Sequence, residues 1–164
     1  MLPDDVGASC MTKKRFLMLE RKTALKILSE RTLNNLQVTY KTIEHCIKNH
    51  WNYRISSGII PLITLPEANL SIDILPDKDE IYKEFKKCAE IIQKNHIRCS
   101  THPDQFVVPA SLNPNTVKKS IIELEHHADM MDLFGLPRNY DSPINIHMNC
   151  YKGSSLEDTA NRFI

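Results

Sequence analysis

Ile97-Arg98-Cys99-Ser100-Thr101-His102-Pro103-Asp104-Gln105-Phe106-Val107-Val108 is the stretch on which the fold turns. Its first five residues read as a short strand, and Pro103, which has no N–H, ends ladder pairing just beyond His102. Before it, Ile81, Phe85, Cys88 and Ile92 recur at three- and four-residue steps, which puts them on one face of a helix over about 79–95. Asp77 or Asp79 suits the start of that helix, where an acidic side chain caps free N–H groups and favours the positive dipole end. After it, Pro114 suits a first helical turn, and Val117, Ile121, Leu124, Ala128 and Met131 form a stripe over about 115–134. Gly135 then serves as a stop before Pro137.

Working outward, Leu33, Leu36, Tyr40, Ile43 and Ile47 predict a helix over about 32–50. An earlier helix is expected around 15–30, its stripe diluted by Lys and Arg. Tyr53-Arg54-Ile55-Ser56-Ser57 and Ile144-Asn145-Ile146-His147-Met148 read as further strands, and Pro61 to Pro76 as a long loop leaving the first of them. Strands that alternate with helices imply βαβ units, because parallel strands need a long crossover that a helix supplies. The class is therefore α/β. With no repeat, low-complexity tract or Gly/Ser linker in view, residues 1–164 read as a single domain.

Composition narrows the function classes. Hydrophobic residues at 41% and charged residues at 25% exclude disordered and collagen-like chains. Lys and Arg number 21 against 20 Asp and Glu, a net charge of +1, so a partner with a phosphate backbone has to be met by a local patch and not by a global field. The scattered cysteines Cys10, Cys46, Cys88, Cys99 and Cys150 match neither a disulfide framework nor CxxC zinc sites, which fits a reducing compartment. The acidic opening Met1-Leu2-Pro3-Asp4-Asp5 and the lack of a long apolar run predict no secretion signal, no membrane span and an intracellular location.

His102 and His147 each fall near the end of an expected strand. In parallel α/β folds the carboxyl ends of the strands converge on the ligand site, and neutral imidazoles there are natural metal ligands or general bases. A lone histidine near a strand end is more often a hydrogen-bonded structural residue; two in equivalent places strengthen the functional reading. Of His126 and His127, one is expected to be solvated and the other to lie at the helix boundary. His50 and His96 follow helices, where a cation complements the C-terminal dipole. Lys13-Lys14-Arg15, Lys86-Lys87 and Lys118-Lys119 read as solvated faces. Glu67, Asp73 and Asp104 are the local carboxylates available to a metal.

Taken in order, Tyr53-Arg54-Ile55-Ser56-Ser57 with Ile60-Pro61-Leu62, His102-Pro103-Asp104-Gln105-Phe106-Val107-Val108, Glu123-Leu124 with His127-Ala128, Ile146-His147 and Arg162-Phe163 resemble the motifs of the UV damage endonuclease family. The resemblance implies a TIM-barrel enzyme that uses divalent metals, commonly Mn²⁺, to cut the DNA backbone on the 5′ side of a photolesion. By position it implies His102 and His147 as metal ligands, and Gln105 and Phe106 as probes of damaged nucleotides in double-stranded DNA.

Departures from the family pattern accompany it. Leu65 stands where a histidine ligand is usual, Ala8 and Phe106 where tyrosines are usual, and Asn149-Cys150 replaces a Gly-Gly. A closed βα barrel takes about 250 residues, so this chain is expected to be an incomplete barrel of about four βα units, its N-terminal half, whose exposed edge a second chain would cover. Three readings follow: half of a metal-dependent repair endonuclease, an inactive remnant or binding module of that fold, or a sugar-isomerase-like barrel.

Overall fold

The computed structural model describes residues 8–148 and 153–163. The opening acidic stretch, Val6-Gly7 and the Asn149-Cys150 replacement lie outside the described residues. A short helix α1, Lys13–Met18, is followed by α2, Arg21–Lys48. Strand β1, Tyr53–Ile55, leads into a loop with two 3-10 turns, then α3, Lys78–Lys94, and strand β2, Cys99–Thr101. Helices α4, Pro114–Leu133, and α5, Leu156–Phe163, complete the order. β1 and β2 pair in parallel, Tyr53 opposite Cys99 and Ile55 opposite Thr101. A single parallel bridge joins Thr101 to Ile144. The α/β class and the parallel β1–α3–β2 crossover agree with expectation.

The expected helices at 15–30 and 32–50 are instead one long helix preceded by a short turn of helix. Leu19 and Glu20 are extended, and no Gly or Pro interrupts the next 28 residues, so nothing stops propagation once the helix has nucleated. Its buried face also differs: Leu36 and Ile43 lie inside, but Leu33, Tyr40 and Ile47 sit at the margin while Thr32, Asn35 and Thr39 are buried. These polar groups are satisfied internally. Thr32 Oγ1 donates to Leu28 O at 2.9 Å. Asn35 Nδ2 donates to Ser9 O at 2.9 Å and Ile59 O at 3.1 Å, and its Oδ1 accepts from Ser9 N at 2.7 Å.

The expected strand at 144–148 reduces to the bridge at Ile144, and β1 stops at Ile55, before Ser56 and Ser57. α3 carries its stripe inward as read, with Ile81, Phe85, Cys88 and Ile92 all at most 3% exposed; burial of each large apolar side chain contributes about 1.5–3 kcal/mol. α4 does so only in part. Of its stripe, Val117, Leu124 and Ala128 lie at the margin or outside, Ile121 is exposed and Met131 is buried as expected; Ser120, His127 and Met130 also face the core. Ser120 fits there because its Oγ accepts from Val108 N at 2.8 Å and donates to Thr116 O at 2.8 Å. Phe134, just past the helix, packs edge-on against Phe85 with ring centroids 5.1 Å apart.

Each long helix ends in the same way. Leu136 N donates to Met131 O and Gly135 N to Asp132 O, the paired bonds of a Schellman motif, with Gly135 at φ +63°. A Cβ at Gly135 would lie 2.5 Å from Gln93 Nε2. His50 and His96 occupy the equivalent left-handed positions after α2 and α3, at φ 55° and 53°, with Trp51 N bonded to Cys46 O and Ile97 N to Ile92 O. Their place is thus set by backbone geometry more than by charge. The next residues enter β1, β2 and the Ile144 bridge. Most of the buried apolar residues form one cluster, with Val107 and Ala110 of the loop after β2 outside it.

Candidate functional site

The carboxyl ends of β1 and β2 and the Ile144 segment face the same side because the three run parallel. Thr101, the last residue of β2, donates its N–H to Pro143 O at 3.1 Å and accepts from Asn145 N at 3.0 Å. The following residue is His102, and His147 lies two residues after Asn145. Their rings meet edge to face with centroids 4.5 Å apart, and both residues are half-buried. The two histidines singled out from the sequence are therefore brought together.

Beyond His102 the chain leaves the sheet as an Asx turn. Asp104 Oδ1 accepts from Phe106 N at 2.9 Å and Asp104 O from Val107 N at 2.9 Å. Val107 and Ala110 are buried at 4% and 0%, and Arg162 Nε donates to Ala110 O at 3.0 Å. The loop is anchored from behind while its tip is presented outward: Gln105 is exposed, and Phe106 is 77% exposed.

The three carboxylates considered as ligands are engaged elsewhere. Glu67 pairs with Lys13 at 2.5 Å, which holds its carboxyl below the usual range. Asp73 accepts from Tyr82 Oη at 3.2 Å, and Asp104 forms the turn. Among the described residues no three His, Cys, Asp or Glu side chains cluster as a metal set. Leu65 packs against the core.

His126 and His127 depart from expectation. His127 is 1% exposed and its Nδ1 lies 2.8 Å from Thr101 Oγ1. His126 Nε2 is buried without a hydrogen-bond partner. Burial lowers both imidazoles to about 4, with neighbouring His126 and His102 adding to the effect on His127. His127 faces the polar end of β2 through Thr101, while His126, one residue earlier on the helix, lines a cleft with Asp73 and Tyr82. Asn35, Thr101 and Ser120 were missed in the sequence: single polar residues amid apolar ones carry no periodic signal. Thr101, immediately before the histidine, was the one position where a strand-end reading could have prompted the question of a partner.

A parallel βαβ unit with paired histidines and an exposed aromatic loop at its strand ends defines an α/β protein whose candidate site lies at the carboxyl edge of its sheet, where such folds place their ligand sites. The family model for UV-endonuclease UvdE matches residues 3–164, and the chain belongs to that family. A UV DNA damage endonuclease of Nostoc sp. is 40% identical over 138 residues, covering 84% of this chain and 42% of the relative. That of Bacillus velezensis is 32% identical over 148 residues, covering 88% and 43%. The crystal structure of SacUVDE superposes with a TM-score of 0.76 at 28% identity, over 97% of this chain and 50% of that one. The chain thus spans less than half the length of these curated relatives and half of the solved structure.

Proposed function

We propose that this chain is the N-terminal half of a TIM-barrel, metal-dependent endonuclease that cuts the DNA backbone 5′ of UV photolesions. The observation that carries the reading is the His102–His147 pair, held at 4.5 Å beside the outward Gln105-Phe106 loop. The 4.5 Å separation leaves both donor residues within reach of a single divalent cation. His102 and His147 would hold Mn²⁺, with the remaining ligands supplied by the completing half of the barrel.

A bound divalent cation supplies charge neutralisation and Lewis acidity at the scissile phosphate. The chain's own residues do the positioning. The pinned base of the 104–110 loop fixes where Phe106 stacks, because an aromatic face accepts an unstacked base of any sequence. Gln105 hydrogen-bonds exposed base edges, which are more accessible in a damaged duplex than in an intact one. The outward face of α4 and the single bridge at Ile144 fit a sheet and helix layer that continue into further units.

The test combines the purified chain with the remaining part of the Nostoc sp. relative and UV-irradiated duplex. Nicking that requires both parts and Mn²⁺, and that His102→Ala abolishes, is the expected result. Absence of Mn²⁺ binding by calorimetry, together with no nicking in the combination, overturns it. A binding module of the same fold is favoured by Leu65, half-buried against the core where the family places a ligand; lesion-selective DNA binding without nicking in the combined sample would select that reading.

A further inference from the structure

The geometry points to Thr101 and His127 as a positioning pair that sets the spacing of His102 and His147. Its role toward a metal rests on the reading above, but the spacing itself does not. Thr101 is fully buried and is fastened by three hydrogen bonds to two elements: Pro143 O and Asn145 N on the segment that carries His147, and His127 Nδ1 on α4. These are the contacts nearest the paired imidazoles, one residue before His102 and two before His147. The ladder offers no alternative hold, since the Ile144 segment joins β2 through a single bridge.

The hydroxyl–imidazole bond adds what the backbone bonds cannot. It ties the end of β2 to α4, a helix whose length and core contacts through Met130 and Met131 make it the stiff member. His127 is 1% exposed, so water does not substitute for the threonine hydroxyl if it is removed, and an unpaired imidazole nitrogen in that place is costly. The buried ring must then shift or recruit another partner, and the end of β2 moves with it. Partners that orient metal-binding imidazoles from behind typically account for 10- to 100-fold in affinity.

The experiment compares the whole chain with Thr101→Val, which keeps shape and removes the hydroxyl, and Thr101→Ser, which keeps the hydroxyl. Without metal, proton NMR of the wild-type chain is expected to show a nuclear Overhauser contact between the His102 and His147 rings, lost in Thr101→Val and restored in Thr101→Ser. With Mn²⁺, both wild-type rings are expected to broaden together, and Thr101→Val is expected to need roughly 10-fold more Mn²⁺ for the same effect. The double variant Thr101→Val with His127→Leu removes both polar partners, so its thermal stability is expected to recover while the ring contact does not. A ring contact that survives in Thr101→Val, or returns with stability in the double variant, overturns the positioning role. Wild-type rings that touch but are not broadened by Mn²⁺ overturn the metal reading and leave the positioning result standing.

Discussion

Helices α3 and α4 carry apolar stripes of the same spacing, yet one is buried throughout and the other only at its last member, Met131. On α3, Ile81, Phe85, Cys88 and Ile92 are buried in the core, with Cys88 against α2 and Phe85 against Phe134 at the end of α4. On α4, Ile121 is 47% exposed and Leu112, just before the helix, is 59% exposed. The inward face of α4 is built from a serine, a histidine and two methionines. The difference teaches that hydrophobic period marks a face that needs a neighbour without saying which neighbour it is. α3 lies between elements present in the chain; α4 has one such side and a second apolar side open.

The strongest way to break this comparison is truncation on both helices. Phe85→Ala, which also removes the Phe134 contact, is expected to cost about 3–5 kcal/mol in urea unfolding, whereas Ile121→Ala is expected to stay within about 0.5 kcal/mol. Equal losses would show that the α4 stripe is already covered.

Acid comes next. His126 and His127 on α4 stay neutral in the folded chain down to about pH 4, from an ordinary value of 6.5. The unfolded chain therefore binds more protons between these values, so stability is full above pH 6.5 and is lost as pH falls toward 4, by up to about 3 kcal/mol per histidine. His126 lines a cleft with Asp73, Tyr82, Glu125, Asp129 and Asp132. His126→Leu is expected to flatten the acid limb followed by circular dichroism; an unchanged limb would place the proton uptake elsewhere.

A smaller effect, roughly 10-fold in affinity, is expected for Leu112→Lys with Ile121→Lys when the chain binds the remaining part of the Nostoc sp. relative, with the melting temperature of the chain alone unchanged. Equal affinity would assign the outward stripe no role in assembly. The mildest test uses thiols. Burial pushes the Cys88 thiol up to about 12, so it is expected to react with a disulfide reagent only on unfolding, whereas the thiol introduced by Ile121→Cys reacts in the native chain. Matching rates would erase the distinction between the two helices.

What could be read beforehand follows the same division. α3, the start of α4 at Pro114 and its end at Gly135 were legible because period, capping and a left-handed glycine are local properties. The 28-residue span of α2 was harder, since the apparent break near residue 31 was a change of face from apolar to polar burial and not a change of backbone. The strand at 144–148 failed because β-propensity cannot supply a neighbouring strand, and only Ile144 meets Thr101. Within the site, His102 and His147 were found as residue types at strand ends, and their meeting is geometry. Thr101 and Asn35 gave no signal, and His127 was expected at the helix boundary or in solvent instead of inside, because each acts through contacts distant in sequence, which no spacing rule encodes.

The left-handed residues that close α2, α3 and α4 give the chain a recurring backbone signal. His50, His96 and Gly135 share neither side chain nor flanking sequence, yet the same two hydrogen bonds surround each, and an apolar residue follows each one: Trp51, Ile97 and Leu136. The periodicity of this protein is written in its main chain, as a helix, a reversed residue and a return to the sheet. The side chains at the three ends differ, so the recurrence is plain only in the donors and acceptors of the backbone.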